Sequence, residues 1–157
     1  MKKTAIIITA LIFCAVFQGC KKSDTPATAE YSSDLKQVTD VQSSIDEYKG
    51  ENLLVVFWAT WCPPCRKEIP HLNQLVSENE SVSVLALSNE KPSTVVEFMQ
   101  KNEMKYDVAS VESIDLPAPF NQVNAIPTIF FISPDGEIKE KVVGGLDYES
   151  LKEKALN

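Results

Sequence analysis

The stretch from Leu53 to Cys65 constrains this chain most. Leu53-Leu54-Val55-Val56-Phe57-Trp58-Ala59 is an uninterrupted apolar run, and Thr60-Trp61-Cys62-Pro63-Pro64-Cys65 follows it directly. So short a run, with no polar alternation, predicts a strand buried on both faces. Cys62 then falls where a central strand ends and a helix begins. Side chains three apart on a helix lie about 5–6 Å apart at Cβ, and a relaxed disulfide has Cα atoms about 5.5–6 Å apart. The first helical turn can therefore close and open a bridge. Free backbone N–H groups and the helix dipole at that edge favour a thiolate on Cys62. Cys65, one turn in, is expected to be less exposed. The natural roles are Cys62 as attacking nucleophile and Cys65 as resolving thiol. Pro63 suits the first helical position, because its missing N–H would have had no partner. Pro63 and Pro64 together remove two donors from the thiolate, and neither spacer residue is cationic. That combination points to a reducing couple.

The chain begins as an export signal does. Lys2 and Lys3 precede a mostly apolar stretch from Thr4 to Phe17, which is short for a membrane span. Gln18-Gly19-Cys20 then resembles a bacterial lipobox, which implies a signal peptide over residues 1–19 and lipid modification of Cys20. The alternative is ordinary secretion with cleavage nearby. Cys14 would be removed either way, leaving Cys62 and Cys65 as the thiols of the folded part. A structural staple is the bland reading of that pair, but so small a loop constrains the unfolded chain little. Residues 20–42 read as a lipid-anchored tether and lead-in, polar up to about Ser33. A domain over residues 43–157 follows, opening on a helical turn capped by Ser43 and closed by Gly50. Loss of residues 1–19 would remove two lysines and no acids, leaving 13 Lys+Arg against 22 Asp+Glu, a charge of −9. Such a balance favours solubility and disfavours nucleic acid.

Beyond the motif, a helix is expected from about Pro63 to Asn79, with Ile69, Leu72, Leu75 and Val76 as its apolar stripe and a kink at Pro70. Val82–Leu87 reads as a strand, and a helix carrying Val95, Val96, Phe98 and Met99 follows Pro92. Tyr106–Val111 reads as a short strand, and Leu116–Asn124 as a helical turn or two. Thr128–Ile132 and Glu137–Val143 read as a hairpin around Ser133-Pro134-Asp135-Gly136, and Asp147–Leu156 as a closing helix. This order predicts an α/β domain whose mixed sheet carries helices on both faces.

That order, with Trp-Cys-Pro-Pro-Cys after the first central strand, resembles the thioredoxin fold. Ala125-Ile126-Pro127-Thr128 resembles the loop that carries the family's cis-proline, Pro70 stands where its long helix is kinked, and Gly144-Gly145 follows the last strand. With the lipoprotein-like start, the chain looks most like the membrane-tethered TlpA/ResA-type thiol-disulfide oxidoreductases. The resemblance implies a cis bond at Pro127, although only about 5–6% of X–Pro bonds in folded proteins are cis. It also implies that Ile126 offers a strand-like edge to a substrate. Trp61, Pro63, Pro64, Ile126 and Pro127 are then the substrate-contacting set, while Trp58 reads as core. Thioredoxins proper carry a buried acid where this chain has Val56. ResA-type proteins have a glutamate where Glu68 stands, which implies that Glu68 handles the proton of Cys65. The plain alternative is a solvated glutamate beside Arg66 and Lys67.

The resemblance implies disulfide-containing client proteins, apocytochrome c among them, and a thiol electron donor in the membrane. It implies no cofactor, a monomer, and a place in the bacterial cell envelope outside the cytoplasm. An oxidant, isomerase or redox-defence role is the alternative within the class. Metal or copper delivery is the alternative outside it. Zinc takes four ligands, whereas the folded part has one cysteine pair and a single histidine, His71, about 180° round an ideal helix from Cys62. A peroxidase would want the pattern P-x-x-x-T-x-x-C, and Val55 and Ala59 stand in its first two places.

Overall fold

A computed structural model describes residues 35–157, which belong to the compact unit Tyr31–Asn157. The expected signal peptide, the expected lipidation at Cys20 and the polar part of the expected tether lie outside the described residues. β1 (Asn52–Phe57) is the central strand of a five-stranded sheet, flanked in sequence by α1 (Val41–Asp46) and α2 (Pro63–Glu78). β2 (Val82–Ser88), α3 (Pro92–Met99) and β3 (Asp107–Ser110) follow, then a 3-10 turn at Phe120–Gln122, β4 (Thr128–Ile132), β5 (Ile138–Val143) and α4 (Tyr148–Leu156). The strand order is β3-β2-β1-β4-β5, with β1–β2 and β2–β3 parallel and β1–β4 and β4–β5 antiparallel. This is the mixed sheet that the thioredoxin resemblance implies.

The apolar run makes β1 central because both of its faces find a core. Leu54 and Val56 pack with Ile69, Leu72 and Leu75 of α2, Val95 and Met99 of α3, and Leu151 and Ala155 of α4. Leu53, Val55 and Phe57 face the other way, toward Val41 and Ile45 of α1 and Phe120 of the 3-10 turn. Helical residues therefore cover both faces, with the three longer helices on one side. On the other side Phe57, Phe120 and Phe130 form an aromatic cluster, with ring centroids 4.9–6.2 Å apart.

Two expectations need correction. The packed unit starts before Ser43, because Val38 and Val41 are buried in the core and Lys36 N–H donates to Val108 O at 2.8 Å. The first helix is capped by Asp40, whose carboxylate accepts from Ser43 N–H at 2.7 Å, so Ser43 lies inside the helix. An ionised carboxylate is a strong acceptor at a helix N-terminus, and the buried Val41 begins the helix one residue later. Gly50 closes the segment as expected, with a φ of +100° that favours glycine. α2 runs without a break through Pro70.

Candidate active site

Strand register assembles the site. Phe57 pairs with Leu87 of β2 on one side and with Thr128 of β4 on the other. The chain leaving β1 toward Cys62 is thus flanked by Ser88–Glu90 and by Ile126-Pro127. Thr128 also pairs with Val143, which sets Gly144 against Pro127, and Gly144 N–H donates to Pro127 O at 2.8 Å. Chain segments distant in sequence meet at the carboxyl end of β1, where open α/β sheets commonly carry their sites.

Cys62 is the N-cap of α2 and forms a disulfide with Cys65, with Cα atoms 5.3 Å apart. Pro63 and Pro64 occupy the first two helical positions and have no N–H. The amide of Cys65 is therefore the first one able to reach Cys62, and it lies 3.3 Å from its Sγ. This sparse set of donors fits a weakly stabilised thiolate. In the disulfide the two cysteines are equally buried, at 2% and 3% exposure, so the expected difference between them is absent. The bridge ties both sulfurs to the same turn, and Ile126 O lies 3.9 Å from Cys62 Sγ.

The Ile126–Pro127 peptide is cis, as the resemblance implies, and so is Ala118–Pro119, which no sequence pattern singled out. Pro127 is buried and Ile126 half-buried, whereas Pro63 and Pro64 are exposed. Thr128 Oγ1 steadies the loop by donating to Ala125 O at 2.7 Å. Trp61 is 68% exposed, an unusual position for so large an apolar ring. Trp58 is buried against Phe98. Trp61 and Ile126, with Phe57, Leu116 and Phe120, border a groove of about 300 Å³ beside the disulfide.

Glu68 lies one helical turn beyond Cys65 and is only 2% exposed. The solvated alternative therefore does not describe it. Its Oε1 accepts from Leu146 N–H at 2.7 Å, while its Oε2 is buried without a hydrogen-bond partner among the described residues. Burial pushes the carboxyl from its ordinary 4.5 up to about 7, against the opposing pull of the Leu146 amide and His71. An acid so tuned can hold or release a proton near neutrality. His71 turns to the loop before α4, with Nδ1 3.2 Å from Leu146 O. Among the described residues, no group of three or more His, Cys, Asp or Glu could hold a metal ion.

Sequence reasoning missed Glu90. Its Oε2 accepts from Thr60 N–H at 2.7 Å and from Ser88 Oγ at 3.1 Å, and its Oε1 accepts from Thr60 Oγ1 at 2.8 Å. It thereby fixes the residue two positions before Cys62. The available signal was an acid three residues past the expected strand Val82–Leu87.

The model of the AhpC/TSA family matches residues 28–141. The thiol-disulfide oxidoreductase ResA of Bacillus cereus is 31% identical over 121 residues, covering 73% of this chain and 69% of that protein. The sporulation thiol-disulfide oxidoreductase A of Bacillus subtilis is 27% identical, covering 94% of this chain and 93% of that one. Among solved structures, a thiol:disulfide interchange protein of the thioredoxin family from Chlorobium tepidum is 27% identical. It superposes with a TM-score of 0.59 over 71% of this chain and 81% of its own. A disulfide across the first turn of a helix, a cis-proline beside it and these relatives agree: the chain belongs to the AhpC/TSA family and is a thioredoxin-fold thiol-disulfide oxidoreductase of the ResA type.

Proposed function

We propose that this chain is a reductant of partner-protein disulfides, held outside the cytoplasm by a lipid on Cys20, and that Cys62, Cys65 and Glu68 carry the reaction. The observation that carries the reading is the Cys62–Cys65 pair between the cis-proline loop and a buried acid. In the reduced protein the Cys62 thiolate attacks one sulfur of a client disulfide. A Cys62–client disulfide forms, and the other client sulfur leaves as a thiolate. Cys65 gives its proton to the Glu68 carboxylate and attacks Cys62 Sγ. The internal disulfide forms and the second client thiolate departs, so two electrons pass from the protein to the client. A membrane thiol donor returns them. The client lies across Trp61, Pro63 and Pro64 and pairs with the backbone of Ile126 beside Pro127. A cysteine pair awaiting haem attachment in apocytochrome c is the client class that the resemblance implies. The protein acts as a monomer.

The sparse donors around Cys62 support the reducing direction. The reduction potential of the couple tests it. A value near or below about −270 mV is expected, and one near about −120 mV would make the protein an oxidant and overturn the reading. Cys65→Ala should accumulate mixed disulfides through Cys62, and Cys62→Ala should not. Glu68→Gln should shift the thiol titration of the reduced protein, and an unchanged titration would remove Glu68 from the mechanism.

A further inference from the structure

Two side chains of α2 grip one residue of the loop that joins β5 to α4. Glu68 Oε1 takes the N–H of Leu146 at 2.7 Å, and His71 Nδ1 meets the C=O of the same residue at 3.2 Å. Glu68 and His71 are three apart on α2 and so sit side by side. A carbonyl only accepts, so Nδ1 must carry the hydrogen of this contact.

The grip matters because the chain leading into Leu146 is permissive. Gly144 has a φ of +106°, and Gly145 has no side chain to restrict it. The loop is pinned at its start by Gly144 N–H on Pro127 O. It is pinned again at its end by Asp147, which caps α4 by accepting from Ser150 N–H at 2.9 Å. Between those pins, the direction of the Leu146 amide depends on α2. That amide is the one hydrogen-bond donor Glu68 has among the described residues.

We propose that His71 is a positioning residue for the redox site: by holding the Leu146 carbonyl, it keeps the Leu146 N–H on the carboxylate that lies one turn from Cys65. The proposal rests on the reading that Glu68 exchanges a proton with Cys65. Without the grip the charged form of Glu68 would lose its donor, and the acid would hold its proton to higher pH. The ionisable neighbours with which His71 interacts are Glu68 on α2 and Asp147 at the head of α4. The next side chain, Tyr148, turns its hydroxyl to Glu78.

The test is a carbon-13 titration of the Glu68 carboxyl in the full-length oxidised chain, assigned by the signal lost in Glu68→Gln. His71→Leu should move the midpoint upward by about half to one pH unit. His71→Asn should return it to near the wild-type value, since an asparagine side-chain N–H can replace Nδ1 and carries no charge. An unmoved midpoint in His71→Leu overturns the proposal. So does a midpoint in His71→Asn displaced as far as in His71→Leu, because histidine charge would then be the cause. Failure of the Glu68 reading shows separately, as a thiol titration of the reduced chain unaffected by Glu68→Gln.

Discussion

Glu68→Gln offers the sharpest test of the buried acid as a physical object. In the folded chain the carboxyl is pushed up to about 7 from an ordinary 4.5. Between those values the folded state binds the proton more tightly than the unfolded state, so stability falls as pH rises. The carboxyl favours folding fully below pH 4.5, and that contribution is lost as pH climbs through about 7. At about 1.4 kcal/mol per pH unit, the loss reaches roughly 3 kcal/mol. Glutamine has nearly the same shape, keeps an oxygen for Leu146 N–H and does not ionise. Urea unfolding of the oxidised protein at pH 5, 6, 7 and 8 measures the difference. The wild type should weaken progressively relative to Glu68→Gln, which should be the more stable of the two at pH 8. Parallel pH dependences would mean that Glu68 is solvated or otherwise compensated, and the argument from burial would be wrong.

Three further outcomes are expected. Glu90→Gln replaces an acceptor of three hydrogen bonds by a side chain with one acceptor oxygen and an amide NH2 that only donates, and should cost about 1–3 kcal/mol by denaturant midpoint; an unchanged midpoint would mean that Thr60 needs no clamp. Phe130→Ala empties the centre of the aromatic cluster with Phe57 and Phe120 and should cost about 3–5 kcal/mol in the same assay. A chain beginning at Ser43 loses the buried Val38 and Val41 and should be less stable than one beginning at Tyr31 by about 3 kcal/mol or more; equal stability would return the domain boundary to Ser43.

Much of the architecture was legible in short windows of sequence. A continuous apolar run, a cysteine pair with prolines between, and turn residues between strands are signals that act within a few residues of one another. They placed β1, α2, β2, β3, the hairpin and α4 to within about two residues of their ends, and put a helix after Pro92. The short first helix was misread because Ser43 and Asp40 are both plausible caps, and the choice depends on Val41 entering a core that only the folded chain possesses. The cis bond at Pro127 was reached through a family pattern, and the one at Pro119 had no such pattern to reveal it.

What the sequence determined by itself is the chemistry available: two thiols one helical turn apart, at the head of a helix that follows a doubly buried strand. What the tertiary structure decided is the environment of those thiols. Glu90 reaches Thr60 across 30 residues, and Leu146 reaches Glu68 across 78. The spacing of Glu68 from Cys65, Leu72 and Leu75 puts it on the apolar stripe of α2, but local spacing does not distinguish a dry place on that stripe from a wet one. The distinction arises only when the loop after β5 closes over the helix and removes water. Burial then raises the proton affinity of a carboxyl whose ordinary form would be fully ionised at neutral pH.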